Sequence, residues 1–512
     1  MTEQSNTENN KRIAKNTIAL YVRMIVLMVL SFFMSRVVLD VLGVEDYGIY
    51  NLVGSVVVSF TFLKNALSSA VQRFLNYEMG KQNYGELSKI FCTSVNSFAG
   101  LSVIIAIGAE IAWYFFSYKL NIPEVRRPVA DYLFHIVVFT TIVSMMQVPF
   151  NACIIAYEKM SFYAKISILE VVLKIVLIFG ITFISIDKLI LYGYILLFNA
   201  LIILSVYIGF CYRNFEISHY HIFYDSTILK KIFNYTSWSL LGNISGMLSE
   251  NGVSMVFNVF SGVIINAAIG VAMHVNSAVV QLVGGFQQAF NPQIVKLYAA
   301  NKMDEFYTLI FRGSKFSYFL LFTLALPIIA FPDIILDTWL VDVPQYAPQF
   351  CSIIFACSLV DSISGPFYTT VNATGRIRNY QIAISLSFLL HFVVTYILLK
   401  LGLDYTLVFF SRLFTRGLVN FVIGIYFIRN LVKFPVRLYF RDILLKCIEV
   451  SIIPVIFVLI VMHYDIVDSF IIFVIIYILT AIISIATIYT LGLSSVEKTQ
   501  IRNIIAHKIH KH

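Results

Sequence analysis

The sequence predicts an all-α integral membrane protein of about 14 transmembrane helices, and three observations carry that prediction. Of its 512 residues, 59% are hydrophobic and only 13% charged, and the mean hydropathy is +0.83. Soluble chains carry about 25% charged residues and cannot keep so much apolar surface dry. Apolar runs of bilayer length, ~20 residues each, follow one another along the chain between short polar breaks. Finally, lysine and arginine concentrate in alternate breaks. A soluble enzyme, a disordered scaffold and a secreted disulfide module are excluded.

The apolar runs place helices at 17–40, 48–72, 91–117, 131–155, 162–184, 189–212, 234–258, 264–289, 314–338, 346–372, 379–399, 405–428, 441–462 and 468–490. The polar stretch Met1–Asn10 leads through Lys11, Arg12 and Lys15 into a first run longer than the 7–15-residue core of a cleavable signal. That run therefore stays as a helix. With the N-terminus placed in the cytoplasm, 26 of the 37 Lys and Arg fall in cytoplasmic segments, 5 in external loops and 6 within spans, whereas acids show no such bias. This is the positive-inside pattern, and it sets both termini on the cytoplasmic side. The net charge of +9 then belongs to cytoplasmic loops rather than to a nucleic-acid site. The six cysteines lie scattered in apolar runs with no CxxC pair, so they read as packing residues.

An internal repeat organises the chain. Pro149-Phe150, Tyr157-Glu158-Lys159 and Tyr163 correspond to Pro366-Phe367, Thr374-Gly375-Arg376 and Tyr380 at an offset of 217. Tyr77 with Lys81 matches Tyr298 with Lys302 at 221, and Leu42-Gly43-Val44 matches Ser261-Gly262-Val263 at 219. The unit covers six helices, an even number, so both copies enter the membrane in one sense. They are expected to form two six-helix bundles related by a pseudo-two-fold axis along the membrane normal, plus two C-terminal helices. The divisions are a cytoplasmic N-terminus 1–16, a bundle 17–212, a cytoplasmic linker 213–233, a second bundle 234–428, a basic interfacial linker 429–440, helices 13 and 14 at 441–490, and a cytoplasmic tail 491–512. Two similar bundles around a cleft are a transporter architecture that exposes the cleft on alternate sides. Pro149 and Pro366, at matching places, are candidate hinges.

Charges inside spans are costly and default to functional candidates. Arg23 and Arg36 lie on helix 1, Lys64 lies deep in helix 2, and Arg412 and Arg416 stand one turn apart on helix 12. Together they are candidate cavity cations. Asp361 and Glu250 have no local partner in sequence, and each could pair with a base or bind a proton or sodium ion. Glu170 and Lys174 have the spacing of an intrahelical pair. No phosphate-binding loop, dinucleotide fingerprint, HExxH or nucleophile elbow occurs, and no external loop exceeds about 15 residues. Neither an enzyme nor ATP-driven transport by this chain alone has support, and no cofactor or metal is implied.

The segment Leu42-Gly43-Val44-Glu45-Asp46-Tyr47-Gly48-Ile49-Tyr50 resembles the "LG…YGIY" stretch of bacterial polysaccharide-biosynthesis membrane proteins. Asn291-Pro292, Trp339-Leu340 and Ala373-Thr374-Gly375-Arg376 with Tyr380 resemble their second-half segments. These are the Wzx-type oligosaccharide flippases of the multidrug/oligosaccharidyl-lipid/polysaccharide exporter superfamily. The resemblance implies undecaprenyl-diphosphate-linked oligosaccharide as the substrate, moved to the outer leaflet of a bacterial inner (plasma) membrane. The movement would serve O-antigen, capsule or exopolysaccharide synthesis beside a polysaccharide polymerase machinery. It also implies a cavity of bases, here Arg23, Arg36 and Lys64, with Arg412 and Arg416, around the diphosphate. A multidrug extruder of the same superfamily, a lipid II or teichoic-acid flippase and, less readily, a membrane glycan polymerase are the alternatives.

Overall fold

The computed structural model describes residues 61–116, 123–181, 187–221, 223, 225–340 and 343–499, with scattered positions between 16 and 54. Among them there is no strand. The helices are α1 (Ile18–Leu27), α2 (Thr61–Gly80), α3 (Tyr84–Phe116), α4 (Arg127–Ala156), α5 (Met160–Ile181), α6 (Lys188–Asn214) and α7 (Ser226–Ala299). Then follow α8 (Met303–Ala330), α9 (Pro332–Trp339), α10 (Ala347–Thr374), α11 (Arg378–Lys400), α12 (Tyr405–Gly417), α13 (Ile425–Val432), α14 (Val436–Tyr439), α15 (Leu445–His463) and α16 (Phe470–Thr487). π-helical turns at Leu418–Gly424 and Phe440–Leu444 join α12 to α13 and α14 to α15. Ten helical spans among the described residues are long and apolar enough to cross a membrane.

The lipid-facing character is plainest on α16. Ile471, Ile475, Ile478, Ile482 and Ile485 are all at least half exposed, at helical spacing. The opposite face buries Phe473 and Ile476 together with the hydroxyls of Thr480, Ser484 and Thr487. Such an inverted pattern suits hydrocarbon solvent, which takes isoleucine and rejects hydroxyls.

The chain divides into two compact units. The first comprises Met1–Ile244 and Gln288–Lys302. Its seam between α4 and α6 is closed by small residues and buried polar bonds. A side chain on Gly193 would meet Leu133 at 2.8 Å. Along the same seam Gln147 Nε2 donates to the Ala200 carbonyl at 3.0 Å. Trp113 of α3 stacks on Phe134 of α4 and donates its Nε1–H to Asp131 at 2.9 Å. Just before α4, Arg126 joins Asp46 to Asp187. Partial burial works against the Asp187 charge, but the guanidinium and the Ile190 and Leu189 N–H groups hold its carboxyl below the usual range.

The second unit comprises Ser245–Gln287 and Met303–His512. Its core sets Phe257 of α7, Phe350 of α10 and Phe409 of α12 together, with Phe350 and Phe409 stacked at 4.3 Å. The segment 432–446 carries α14 into the protein. Tyr439 is fully buried, donates to the Ile363 carbonyl at 3.0 Å and packs on Phe311, Phe367 and Phe434, while Arg437 and Arg441 stay exposed.

The two runs expected at 234–258 and 264–289 are one helical stretch, α7. Straight, its 74 residues would reach about 110 Å. Yet Tyr235 packs on Phe74 and Lys296 lies against Gly80, both on α2. The stretch therefore doubles back while remaining helical at every assigned residue.

Matching turns recur at the spacing of the internal repeat. Glu158 (φ 58°) and Gly375 (φ 73°) take the left-handed conformation 217 residues apart, after the proline-containing helices α4 and α10. Asp187 and Asp404, also 217 apart, accept N-cap bonds at the starts of α6 and α12. Gln82 and Asn301 are both left-handed (φ 57°) and end α2 and α7 alike. The next N–H groups, of Asn83 and Lys302, return to the carbonyls of Glu78 and Leu297. The register there is 219 rather than the 221 suggested by Tyr77 and Tyr298, because the shared turn, not residue identity, fixes the correspondence.

At one of these turns the copies diverge. Glu158 is buried, and its carboxylate accepts from Gln293 Nε2 at 2.6 Å and pairs with Lys296 Nζ at 2.5 Å. Lys296 also donates to the Ala156 carbonyl at 2.6 Å. The left-handed backbone costs a non-glycine residue roughly 1–2 kcal/mol, which these bonds offset. Glu158→Ala is expected to destabilise the protein by about 3–5 kcal/mol, the range for breaking a buried pair. Glu158→Gly loses the same pair but relieves the backbone, so its thermal midpoint in detergent should lie above that of Glu158→Ala. Gly80 admits the Lys296 backbone, whose carbonyl would lie 2.3 Å from an added Cβ. Gly80→Ala should cost about 1–3 kcal/mol as overpacking, whereas Gly100→Ala, with nothing within 4 Å, should melt no lower than the wild type.

Candidate functional site

Charged residues within the first unit's helices converge on α5. The Arg23 guanidinium of α1 lies 4.6 Å from the centre of the Tyr163 ring, and its buried Nε has no hydrogen-bond partner among the described residues. Tyr207 of α6 is buried, receives the Asn151 amide at 3.4 Å and has Tyr163, Glu170 and Arg23 as electrostatic neighbours. Lys64 of α2 is half-buried, with Glu170 as its charged neighbour. The pair expected between Glu170 and Lys174 is not formed among the described residues. Glu170 bears instead on Lys64 and Tyr207. Lys174, half-buried, stands one turn away on the same helix. The cluster thus holds three cations, one acid, two phenols and an amide, on α1, α2, α4, α5 and α6.

Such a set can bind an anion by charge-assisted bonds and present phenols and an amide to hydroxyl-rich groups. Arg36 lies outside the described residues. Of Glu250 only its place on α7 is described.

The second unit gathers the other candidates differently. Asp361 of α10 accepts from Asn420 Nδ2 at 2.6 Å through Oδ1, and its Oδ2 lies 3.4 Å from Arg416 Nη1. Asn420 sits in the π-helical turn Leu418–Gly424, whose extra residue per turn re-aims its side chains. Arg412, one turn before Arg416, is buried, and His391 of α11 is buried beside Thr415 at 3.2 Å. Both arginines are electrostatic neighbours of His391 and Cys357. The Asp361 carboxylate is thus met on both oxygens by protein groups. Pro366 continues α10 beyond it, and the preceding Gly365 leaves room for the Gln287 side chain, which donates to Ser317 at 3.2 Å. Pro149 lies likewise inside α4, which remains helical through it.

Two networks escaped the sequence reading. One is Glu158 with Gln293 and Lys296. The other lies in the second unit, where Lys315 of α8 is buried and reaches Glu497 at 2.7 Å and the Gly492 carbonyl at 3.2 Å. Ser494 and Glu497 form a capping box there: Ser494 N–H donates to Glu497 Oε2 at 2.8 Å, and Glu497 N–H to Ser494 Oγ at 3.3 Å. The S-x-x-E spacing was a usable signal, but its lysine lies 182 positions away. Burial opposes ionisation of Glu497, but Lys315 and Ser494 overcome it and hold the carboxyl below its ordinary value. A depressed carboxyl contributes stability above the unfolded value, ~4.3, and loses it as pH falls through the folded value. Glu497→Gln should therefore melt below the wild type at pH 7, with the gap closing on acidification below about pH 4. A pH series of melting curves checks this.

The helices define the chain as a multi-pass membrane protein, and its fold is like that of solved MATE transporters. Residues 239–397 match the MatE family. A MOP superfamily transporter from Pyrococcus furiosus, described as having a binding pocket of reverse polarity that suggests a different function, superposes with a TM-score of 0.70 at 13% identity. That match covers 83% of this chain and 97% of the other. A Vibrio cholerae MATE transporter gives 0.69 at 15%, covering 85% and 100%. A multidrug resistance MATE family transporter in an outward-facing conformation gives 0.67 at 14%, covering 83% and 96%. No curated protein sequence matches the chain.

Proposed function

We propose that this chain is a membrane transporter of the multidrug/oligosaccharidyl-lipid/polysaccharide exporter type. Its substrate in this reading is polyprenyl-diphosphate-linked oligosaccharide, carried from the cytoplasmic to the outer leaflet by alternating access. The observation that supports the substrate class is the charge of the first unit's cluster, where Lys64 neighbours Glu170, Arg23 lies over Tyr163, and Lys174 stands one turn from Glu170 on α5. A diphosphate suits cations that are not already closed by acids, and sugars suit phenol and amide donors. Moving each negative charge outward gains ~2.3 kcal/mol per 100 mV of an inside-negative potential. Export of an anion then needs no ATP. Pro149 and Pro366 are the hinges of the cycle in this reading, and the delivered oligosaccharide feeds a polymerisation machinery outside.

Extrusion of cationic drugs is the second reading. It is favoured by the MatE match, which spans Asp361. For Asp361 to carry a cation or couple to H+ or Na+, Arg416 must first release it, and that requirement weighs against this reading.

Deleting the chain in its host and extracting lipids tests the two. Accumulation of polyprenyl-diphosphate oligosaccharide, hidden from an external glycan-specific lectin in intact cells, is the expected result. Arg23→Gln with Lys64→Gln should insert at normal levels and export at least 10-fold less glycan. Normal export by that variant, or drug sensitivity without a lipid-linked intermediate, overturns the flippase reading.

A further inference from the structure

The end of α2, the start of α3 and the first turns of α7 meet, within the first unit, around a cavity of about 250 Å³. Arg73, Lys81 and Lys231 line it. Aromatic rings brace two of these cations, and Arg73 also has Glu78 as a charged neighbour. The Arg73 guanidinium lies 4.6 Å from the ring centre of Phe74, 4.7 Å from that of Tyr77 and 5.9 Å from that of Tyr235. The Lys81 ammonium is 4.4 Å from the Tyr77 ring. Two acids share the lining, Glu78 and Glu86. Glu86 is engaged from outside by Lys89 at 2.8 Å, and nearby Asp225 caps α7 by accepting from the N–H groups of Thr227 and Ile228. Positive charge is left in excess in the cavity, and a wider hollow of about 550 Å³ that shares Lys231 adds Lys230.

The surface beside this cavity has a second property. Positions 230, 234, 237, 241 and 244 of α7 fall within about 40° of one line along the helix. They are Lys230, Asn234, Ser237, Leu241 and Ile244, and all five are exposed. Within four turns the face passes from ammonium through amide and hydroxyl to bare hydrocarbon. The three helix ends put the cations where a headgroup layer would lie, and the apolar positions follow where acyl chains would lie.

We propose that this is a binding site for one anionic glycerophospholipid. Its phosphodiester sits among Arg73, Lys81 and Lys231, and an acyl chain follows Leu241 and Ile244. The guanidinium supplies directed donors and the lysines point charge, the division of labour expected for phosphate recognition. A free phosphate would use the cations and leave the apolar track idle. The site does not depend on the transported substrate.

Thermal unfolding of the purified full chain in detergent tests the proposal, with dioctanoyl phosphatidylglycerol, dioctanoyl phosphatidylcholine and inorganic phosphate as probes. The expected result is a saturable rise in Tm with phosphatidylglycerol, none with phosphatidylcholine at equal concentration, and a response to phosphate only at concentrations at least 10-fold higher. Lys81 and Lys231 are exposed, so Lys81→Gln with Lys231→Gln should fold with an unchanged ligand-free Tm. That variant should bind phosphatidylglycerol about 30-fold more weakly, given the usual attraction per surface cation. Lys165→Gln, an exposed lysine of α5, should bind as the wild type does. Leu241→Asn should weaken phosphatidylglycerol and leave phosphate unaffected. Equal action of the two lipids, phosphate acting as strongly as phosphatidylglycerol, or undiminished binding by the double lysine variant each overturns the assignment.

Discussion

Hydrocarbon around a helix offers no hydrogen bonds, and the rest of this structure follows from that constraint. Each polar group placed within a span needs a partner inside the protein. The hydroxyls of α16 therefore face inward while its isoleucines face out, and Gln147 spends its amide on a carbonyl of the neighbouring helix. Apolar burial gains little against lipid, so close packing at small residues such as Gly193 and Gly80, together with polar closure, must hold the bundles. The charged contacts are consequently few and consequential. Glu158 with Lys296 and Lys315 with Glu497 each tie residues more than 130 positions apart, and each carboxylate lies beyond a helix end.

The turns that recur about 217–219 residues apart share backbone conformation more than chemistry. Left-handed residues end matching helices at Gln82 and Asn301 and at Glu158 and Gly375, and aspartates cap matching helices at Asp187 and Asp404. The side chains at those turns have separated in role. Gly375 does nothing beyond the turn, whereas Glu158 accepts backbone strain to anchor the segment that carries Lys296. Asp187 both caps α6 and holds Arg126, whereas Asp404 only caps α12. The two halves thus share turns and caps, while charge is distributed unequally over them.

Much of the scaffold was legible because hydropathy at helical length is a local signal. The expected runs at 346–372, 379–399 and 468–490 match α10, α11 and α16 with its terminal π turn to within a few residues. The fused α7 was not legible, since Ser261-Gly262 between two apolar runs read as a break although the helix continues through them. Charges in spans were visible as oddities, but their partners were not. Spacing suggested Lys174 for Glu170, while the fold brings Lys64. It also left Asp361 alone, while a π-helical turn, which has no sequence period of its own, supplies Asn420. Partners that depend on which helix faces which are set by tertiary packing and carry no signature along one chain.

The resulting charges fall into two physical kinds. In the first kind the carboxylate is already met by protein donors, as in Glu158 with Lys296 and Gln293, Glu497 with Lys315 and Ser494, and Asp361 with Arg416 and Asn420. A ligand binding to such a cation must first break a bond of comparable strength, so the exchange returns little free energy. In the second kind the cation is braced by rings instead of acids, as Arg23 is by Tyr163. A ring face attracts the charge yet leaves its N–H edge available, and the buried Arg23 Nε has no hydrogen-bond partner among the described residues. An incoming anion adds bonds there without removing any, and it also relieves the cost of an unsatisfied buried donor, about 1–3 kcal/mol. Affinity for anions should therefore concentrate at ring-braced cations rather than where cations are most numerous. Arg23 meets that criterion, whereas Arg416 of α12, although it lies 5.6 Å from the centre of the Phe388 ring, also stands against the Asp361 carboxylate.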